Sequence, residues 1–238
     1  MKKTTETPLV TLITGTSRGI GKELALHYLA AGHQVIGCSR GAATIEDPGY
    51  HHYQVDLASV DAIRGMLEEI GRRWGRISHL INNAAISSFN LAAFTEPATV
   101  ERILAVNFTA PYVLCQEALR LMQKQRFGRI VNFSTVAVPL AVQTLSAYAS
   151  SKAAIETLTR ILAREFGPFG ITVNCLGPTA IQTDLISQLP ENVVRDVIAA
   201  QAVKARAGFE DVIAATDFFL SPRCGQITGQ VLYLGGFG

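Results

Sequence analysis

Long hydrophobic runs are missing from this chain, and no charge of one sign dominates it. Without 18 consecutive apolar residues there is no candidate membrane-spanning helix. A net charge of +2 gives no broad field for nucleic acid or an anionic membrane, and no basic stripe accompanies it. Cysteine is scarce. Cys38, Cys115, Cys175 and Cys224 stand far apart with no CxxC pair, which excludes a disulfide framework and a cysteine zinc site. The adjacent His51 and His52 have no matching ligand pair, so no metal is expected and both read as strand or loop residues. The opening "MKKTTETPLVTLITGTS" lacks the apolar core of a signal peptide, and a soluble, cytoplasmic protein is expected. Repeats and low-complexity linkers are also absent. What remains is a 238-residue chain, 48% hydrophobic and 17% charged. That is enough for one sizeable core, and residues 1–238 read as a single domain.

Strand and helix signals alternate along it. "LVTLIT" (9–14), "QVIGCS" (34–39), "HHYQVD" (51–56), "ISHLINNAA" (77–85), "GRIVNFST" (128–135), "GITVNCL" (170–176) and "QVLYLGG" (230–236) read as strands. Segments 20–31, 59–74, about 98–125 and 146–167 read as helices. Strands separated by helices predict a parallel sheet covered on both faces, an α/β fold.

The first strand runs into "TGTSRGIG" (14–21), with glycines at 15, 19 and 21. Glycines there let the backbone approach a phosphate and then enter a helix whose N-terminal N–H groups favour an anion. A glycine turn also serves as a plain tight connection. After the second strand, an acidic residue would hydrogen-bond a ribose 2′-hydroxyl and repel a 2′-phosphate. This chain has Ser39 and Arg40 instead, and Arg18 lies in the glycine turn. Two guanidinium groups converging on a phosphate would give charge-assisted contacts. That favours NADP over NAD, the alternative being two solvated surface arginines.

"YASSK" (148–152) places Tyr148 and Lys152 four apart, on one face of a helix. A tyrosine with a pKa of about 10 is a poor proton donor or acceptor near neutrality until an ammonium group stabilises its phenolate. The pair suits proton exchange with a carbonyl or alcohol oxygen.

The glycine turn, "NNAA" (82–85), Asn107, a hydroxyl residue ending the fifth strand and Tyr148/Lys152 occur in one order. Together they resemble the short-chain dehydrogenase/reductase family over essentially the whole chain, and most of all its 3-oxoacyl-[acyl-carrier-protein] reductase branch. The resemblance implies a single doubly wound Rossmann domain with a seven-stranded parallel sheet. It implies Tyr148 as the general acid/base, and Lys152 as the residue that lowers its pKa and binds the nicotinamide ribose. It implies Asn107 as holder of a relay water. The family's serine falls on Thr135. Neighbouring strand residues face opposite ways, so Thr135 is favoured; the alternatives are Ser134 through a local bulge, or impaired catalysis.

For the cofactor, NADP(H) in preference to NAD(H), the resemblance implies Gly15, Ser17, Arg18, Gly19, Ile20 and Gly21 around the phosphates. Ser39 and Arg40 are expected at the ribose, Asp56 and Leu57 at adenine, and Asn83 and Ala84 along the adenosine. Pro178, Ile181 and Thr183 are expected at the nicotinamide. "NNAA" can equally brace the sheet. Thr179 stands where the family usually has glycine.

Substrate signals are thinner. The reductase branch docks its carrier protein through basic residues beside the active-site entrance. Arg126 matches one of them, but the second falls on Phe169. Segment 184–206 resembles a substrate lid, in which Leu185, Ile186, Leu189, Val193, Val194 and Val197 either line an apolar pocket or simply pack. The expected activity is NADPH-dependent reduction of a 3-oxoacyl thioester or related ketone. Two alternatives stay open: an alcohol dehydrogenase acting on a sugar, steroid or secondary metabolite, and a nucleotide-sensing protein with little catalysis. The resemblance also implies a homodimer or homotetramer.

Overall fold

The structure is a computed structural model and describes residues 8–183, 186–188 and 190–237. Seven strands form one sheet: β1 (Val10–Thr14), β2 (Gln34–Ser39), β3 (Tyr50–Gln54), β4 (His79–Asn82), β5 (Gly128–Phe133), β6 (Ile171–Gly177) and β7 (Val231–Tyr233). Their order is β3-β2-β1-β4-β5-β6-β7, and every neighbouring pair is parallel. The chain builds outward from β1 to β3, returns, and builds the other way from β4. The expected doubly wound α/β domain is therefore present, and its crevice opens at the C-terminal ends of β1 and β4.

Adjacent apolar residues on a strand serve opposite faces. Leu12, Ile36, Leu80 and Ile130 pack on one side with α2 (Val60–Trp74), α4 (Ala110–Met122) and α5 (Ser146–Phe166). Ile13, Val35, Ile81 and Val131 pack on the other with α1 (Gly19–Ala30) and α7 (Phe209–Leu220). This two-sided burial explains why the strands are apolar runs rather than alternating patterns. Leu12 and Ile13 are both fully buried, each contributing roughly 1.5–3 kcal/mol.

Strand signals overran at the ends. β3 stops at Gln54, β4 at Asn82 and β5 at Phe133; Val55 and Ser134 each make one last backbone bond to the neighbouring strand, and the Asn83 N–H goes to the Thr14 hydroxyl instead. The sequence reading drew no boundaries for α7, whose "FEDVIAATDFFL" is apolar on most sides and masks helical periodicity. Helix α2 is bounded as its ends require. Ser59 accepts a hydrogen bond from the Ala62 N–H at 3.2 Å, and Gly75 closes it in the left-handed region at φ 69°.

The helix expected over 98–125 is broken. α3 (Pro97–Leu104) passes through a π turn, Ala105–Thr109, before α4. Pro111 explains the break: it has no N–H to donate to the Asn107 carbonyl four residues earlier. A π turn widens the backbone at that point, and such turns recur at functional sites.

At the other end of the sheet, His79 is 2% exposed. Its Nδ1 lies 3.3 Å from the Thr11 hydroxyl, which also meets His33 Nδ1 at 2.9 Å. Burial pushes the His79 imidazole down to about 3, with His33 and Arg129 adding to the shift. Burial also lowers His33. The unfolded chain therefore binds more protons than the native one between pH 6.5 and about 3. Stability should fall as pH drops below the unfolded histidine value. We expect His79→Leu to make the fall of Tm between pH 7 and pH 5 shallower. An unchanged slope would show that His79 does not govern this acid sensitivity.

Candidate active site

A cleft of about 600 Å³ lies over the C-terminal ends of β1, β2, β4, β5 and β6. Its floor begins at the turn from β1 into α1. Gly15 sits at φ +78°, and a Cβ there would lie 3.0 Å from both Ala84 Cα and Asn83 Nδ2. A Cβ on Gly21 would overlap the Gly15 carbonyl oxygen. Two glycines thus let the turn lie against the end of β4, and the first N–H groups of α1 face the cleft without a side-chain cap. That arrangement fits a nucleotide's phosphates.

Thr14 and Asn83 lock the same seam. The Thr14 hydroxyl accepts from the Asn83 and Ala84 N–H groups at 3.1 and 3.0 Å, and Asn83 Nδ2 donates to the Thr14 carbonyl at 2.8 Å. The bracing and cofactor-lining readings of "NNAA" are therefore compatible: the Asn83 amide braces, and the chain at Asn83 and Ala84 borders the cleft.

Ser17, Arg18, Gly19 and Ile20 line one flank, with Ser39 and Arg40 beside them. Asp56 and Leu57 border the same end. Asp56 accepts from the Ala58 N–H at 3.0 Å and takes two bonds from Arg102 Nη2 at 2.8 and 2.9 Å. These contacts hold its carboxyl below the usual range, the Ala58 bond being the largest cause. Pro178, Ile181 and Thr183 close the opposite wall.

The chemistry-bearing residues meet where this cleft joins a small apolar pocket of about 50 Å³. Thr135 and Tyr148 line both spaces. Burial pushes the Tyr148 hydroxyl up to about 12, while its hydrogen bond with Thr135 acts in the opposite direction. Lys152 is 2% exposed, and burial pushes its ammonium down to about 8. Its Nζ donates to the Phe133 carbonyl at 2.7 Å and lies 6.0 Å from the Tyr148 ring centroid. The sequence predicts a tyrosine depressed by its lysine, and burial acts on Tyr148 in the opposite direction.

Ser134 points away from Thr135's side. Its hydroxyl donates to Glu156 Oε1 at 2.5 Å, and the same oxygen accepts from the Tyr233 hydroxyl at 2.5 Å. No bulge brings Ser134 to the Tyr148 hydroxyl. Two anticipated residues, Asn107 and Gly21, lie behind the cleft wall. Asn107 is fully buried. Its Oδ1 accepts from the Ile86 N–H at 2.9 Å, and its Nδ2 donates to the Ile86 carbonyl at 2.9 Å and to the Ser151 hydroxyl at 3.1 Å. Both amide protons are committed, so any relay role falls to its backbone carbonyl, which Pro111 cannot partner.

Sequence reading missed Ile86, Arg102 and Ser151. Ser151 sits inside the "YASSK" stretch, where its spacing to Lys152 was available. Arg102 carried no signal, since a lone helix arginine is ordinarily solvated. Thr179 is buried and hydrogen-bonds Gln201. Gln201 in turn donates to the Val203 and Ala205 carbonyls at 2.7 and 2.8 Å. The hydroxyl that this position gains over glycine thus ties the loop after β6 to the chain following α6 (Glu191–Ala200). Of the residues expected over the pocket, Ile186, Val193, Val194 and Val197 line it, while Leu185 and Leu189 lie outside the described residues. Arg126 precedes β5 and donates to the Pro168 carbonyl at 3.2 Å. It therefore sits at the sheet end opposite the cleft, and does not border the cleft of its own chain as the resemblance implied.

The family model for short chain dehydrogenases matches residues 9–193. The 3-oxoacyl-[acyl-carrier-protein] reductase of Escherichia coli is 30% identical over 95% of this chain and 96% of that protein. The 1-cyclohexenylcarbonyl-CoA reductase of Streptomyces collinus is 32% identical over 99% of this chain and 88% of that protein. Among solved structures, 4-hydroxyisoleucine dehydrogenase complexed with NADH superimposes with a TM-score of 0.89 at 25% identity, covering 96% of this chain and 98% of that one. ElxO with NADP bound gives 0.87 at 26% identity, covering 96% and 97%. The chain belongs to the short chain dehydrogenase family and is an oxidoreductase. Among the described residues, no helix is long and apolar enough to cross a membrane.

The glycine seam generates a paired prediction. Gly21→Ala forces a Cβ into the Gly15 backbone and should cost roughly 1–3 kcal/mol together with most nucleotide affinity. Gly65→Ala, on α2 with nothing within 4 Å of the new Cβ, should instead raise stability by about 0.5–1 kcal/mol. Thermal melts and nucleotide titration of both variants check this. Equal melts and equal affinities would show that the turn tolerates the added carbon.

Proposed function

We propose that this short chain dehydrogenase reduces a carbonyl to a secondary alcohol and prefers NADPH to NADH. The observation that carries the reading is the meeting of Thr135, Tyr148 and Lys152 where a phosphate-sized glycine cradle opens into an apolar pocket. When bound, the dinucleotide supplies the hydride. Gly15, Ser17, Gly19, Ile20, Asn83 and Ala84 would hold it, with Gly21 letting the turn close and Leu57 beside the adenine. Arg18, Ser39 and Arg40 would take the 2′-phosphate. Asp56, already engaged by Arg102, would border the adenine, and Pro178, Ile181 and Thr183 the nicotinamide.

The chain's own part is to hold the substrate oxygen and deliver a proton. Thr135 and Tyr148 line both the cleft and the pocket, and we assign their hydroxyls to the substrate oxygen. Tyr148, pushed up to about 12 by burial, keeps its proton at neutral pH and is the donor as negative charge develops on the oxygen. Lys152 places positive charge beside the phenolate that remains, and the Asn107 backbone carbonyl would hold the water that resupplies the proton.

Valine, leucine and phenylalanine side chains wall the pocket beside Tyr148, among them Phe89, Val142, Leu145 and Val194. That wall favours an apolar acyl or alkyl group over a sugar, and a short 3-oxoacyl thioester is the first substrate we assign. Segment 184–206 would be its lid. No carrier-protein docking is assigned beside this cleft, since Arg126 lies at the opposite end of the sheet and Phe169 stands at the second basic position. We also read the protein as a cytoplasmic homo-oligomer. Exposed Leu104, Tyr112 and Ile161 near or on α4 and α5 support helix pairing between copies.

Initial rates with a short 3-oxoacyl thioester should be higher with NADPH than with NADH. Tyr148→Phe should leave less than about a tenth of the turnover with NADPH binding intact. Thr135→Ser should remain active where Thr135→Val does not. Rates above that level in Tyr148→Phe would remove the tyrosine from its role. Reduction needs the Tyr148 proton and the Lys152 charge. Both are present at neutral pH, and the charge is lost as pH rises through about 8. The kcat/KM for reduction should therefore fall above that value, and a level profile into the strongly alkaline range would contradict the role given to Lys152. Sedimentation at micromolar concentration should show a dimer or tetramer, and a monomer would end the oligomer reading.

A further inference from the structure

Behind the arginine-bearing flank of the cleft lies a chain of polar side chains that the proposed reaction does not use. The β2–β3 register sets His52 beside Gly37. Tyr50, two residues earlier on β3, points to the same face. A Cβ on Gly37 would overlap both the Tyr50 and the Thr16 hydroxyls. The bare glycine leaves room for these groups to meet, at 2.7 Å. Tyr50 reaches His52 Nδ1 at 2.9 Å. On the far side of the ring, His52 Nε2 lies 3.0 Å from the Gly41 carbonyl and 3.2 Å from the Ser39 hydroxyl. One tautomer satisfies every contact: Thr16 donates to Tyr50, Tyr50 donates to Nδ1, and the Nε2–H is shared between Gly41 and Ser39.

The chain thus connects the two segments that carry Arg18 and Arg40. Thr16 belongs to the glycine turn, and Ser39 ends β2 with Arg40 and Gly41 directly after it. A further bond from β3 pins the second segment, where Gln54 Nε2 donates to the Arg40 carbonyl at 2.9 Å. The Thr44 hydroxyl crosses back to the Ser17 carbonyl at 3.0 Å. Thr16, Tyr50 and His52 do not themselves line the cleft.

We propose that His52 is a positioning residue for 2′-phosphate selection: through Tyr50 and Thr16 on one side, and Ser39 and Gly41 on the other, it holds the two arginine-bearing segments at a fixed spacing. The inference rests on the NADPH reading above and adds a residue that acts only through others. Long, exposed arginines gain affinity for a phosphate only when their backbones are held in place, because ordering them costs side-chain entropy. A strand residue that merely packs would affect both cofactors alike. One that spaces the clamp affects only the ligand carrying the extra phosphate.

The test uses cofactor fragments and calorimetry, so it is independent of turnover. Binding of 2′,5′-ADP and of 5′-AMP is measured for the full chain and for His52→Phe, His52→Gln and Tyr50→Phe. The wild-type protein is expected to bind the 2′-phosphorylated fragment more tightly. His52→Phe should reduce that preference by about tenfold, the value of one or two lost hydrogen bonds, with 5′-AMP affinity within about twofold of wild type. His52→Gln keeps an N–H within reach of Gly41 and should retain most of the preference. Tyr50→Phe deletes one hydroxyl and should fall between, which keeps the test decisive if His52→Phe does not fold. A wild-type preference unchanged in the variants, or an equal loss for both fragments, overturns the role of His52 and leaves the NADPH reading standing. A wild-type protein without any preference overturns both.

Discussion

The turn after β1 passes against the end of β4 only because Gly15 and Gly21 have no side chains, and the rest of the site depends on that close approach. Were the turn pushed outward, the N-terminus of α1 would no longer face the crevice. The Thr14 hydroxyl would then lose the Asn83 and Ala84 N–H groups that it holds at 3.1 and 3.0 Å. In a parallel sheet the crevice lies where successive crossovers diverge, so one contact seals the sheet's centre and forms the floor of the cleft. The two apolar layers then fix everything else relative to it, since Leu12 and Ile13 anchor opposite helices from adjacent positions.

A second constraint is the dryness of the reacting corner. Lys152 and Tyr148 are both buried, and burial moves each toward its neutral form: the lysine down to about 8, the tyrosine up to about 12. The corner keeps these polar groups by giving each a partner, Phe133 for the ammonium and Thr135 for the phenol. Glu156 is buried one helical turn beyond Lys152 and collects the Ser134 and Tyr233 hydroxyls. That removes Ser134 from competition with Thr135.

Much of the architecture could be read before any coordinates. Apolar runs beside glycines marked most of the strands, β3 with its "HHYQ" being the exception, and the order of short motifs marked the family, now shown by the match over residues 9–193. The positions chosen for the cofactor nearly all face one cleft, because the ends of parallel strands lie side by side and motifs at those ends converge. Boundaries were less legible. "NNAA" begins inside β4 with Asn82, and the departure of Asn83 from the ladder depends on hydrogen bonds to Thr14 from a distant strand. α7 was concealed by its composition, because apolar residues stand on its exposed side as well, Phe218 among them. Arg126 lay on the matching motif, yet its place at the far end of the sheet is a property of the topology.

Local chemistry was decided by the sequence itself: glycine where backbone must approach backbone, a helical pairing of Tyr148 with Lys152, arginine rather than an acid after β2, and Pro111 denying Asn107 its helix bond. These depend on covalent geometry and on neighbours within a turn or a strand. Three matters were left to the tertiary structure. Burial raises Tyr148, and Thr135 acts against it. The Asn107 amide was spent on Ile86 and Ser151, and Thr179 found Gln201 at the end of α6. In each case the deciding partner or solvent exclusion comes from residues far along the chain, and only packing brings those within hydrogen-bonding distance.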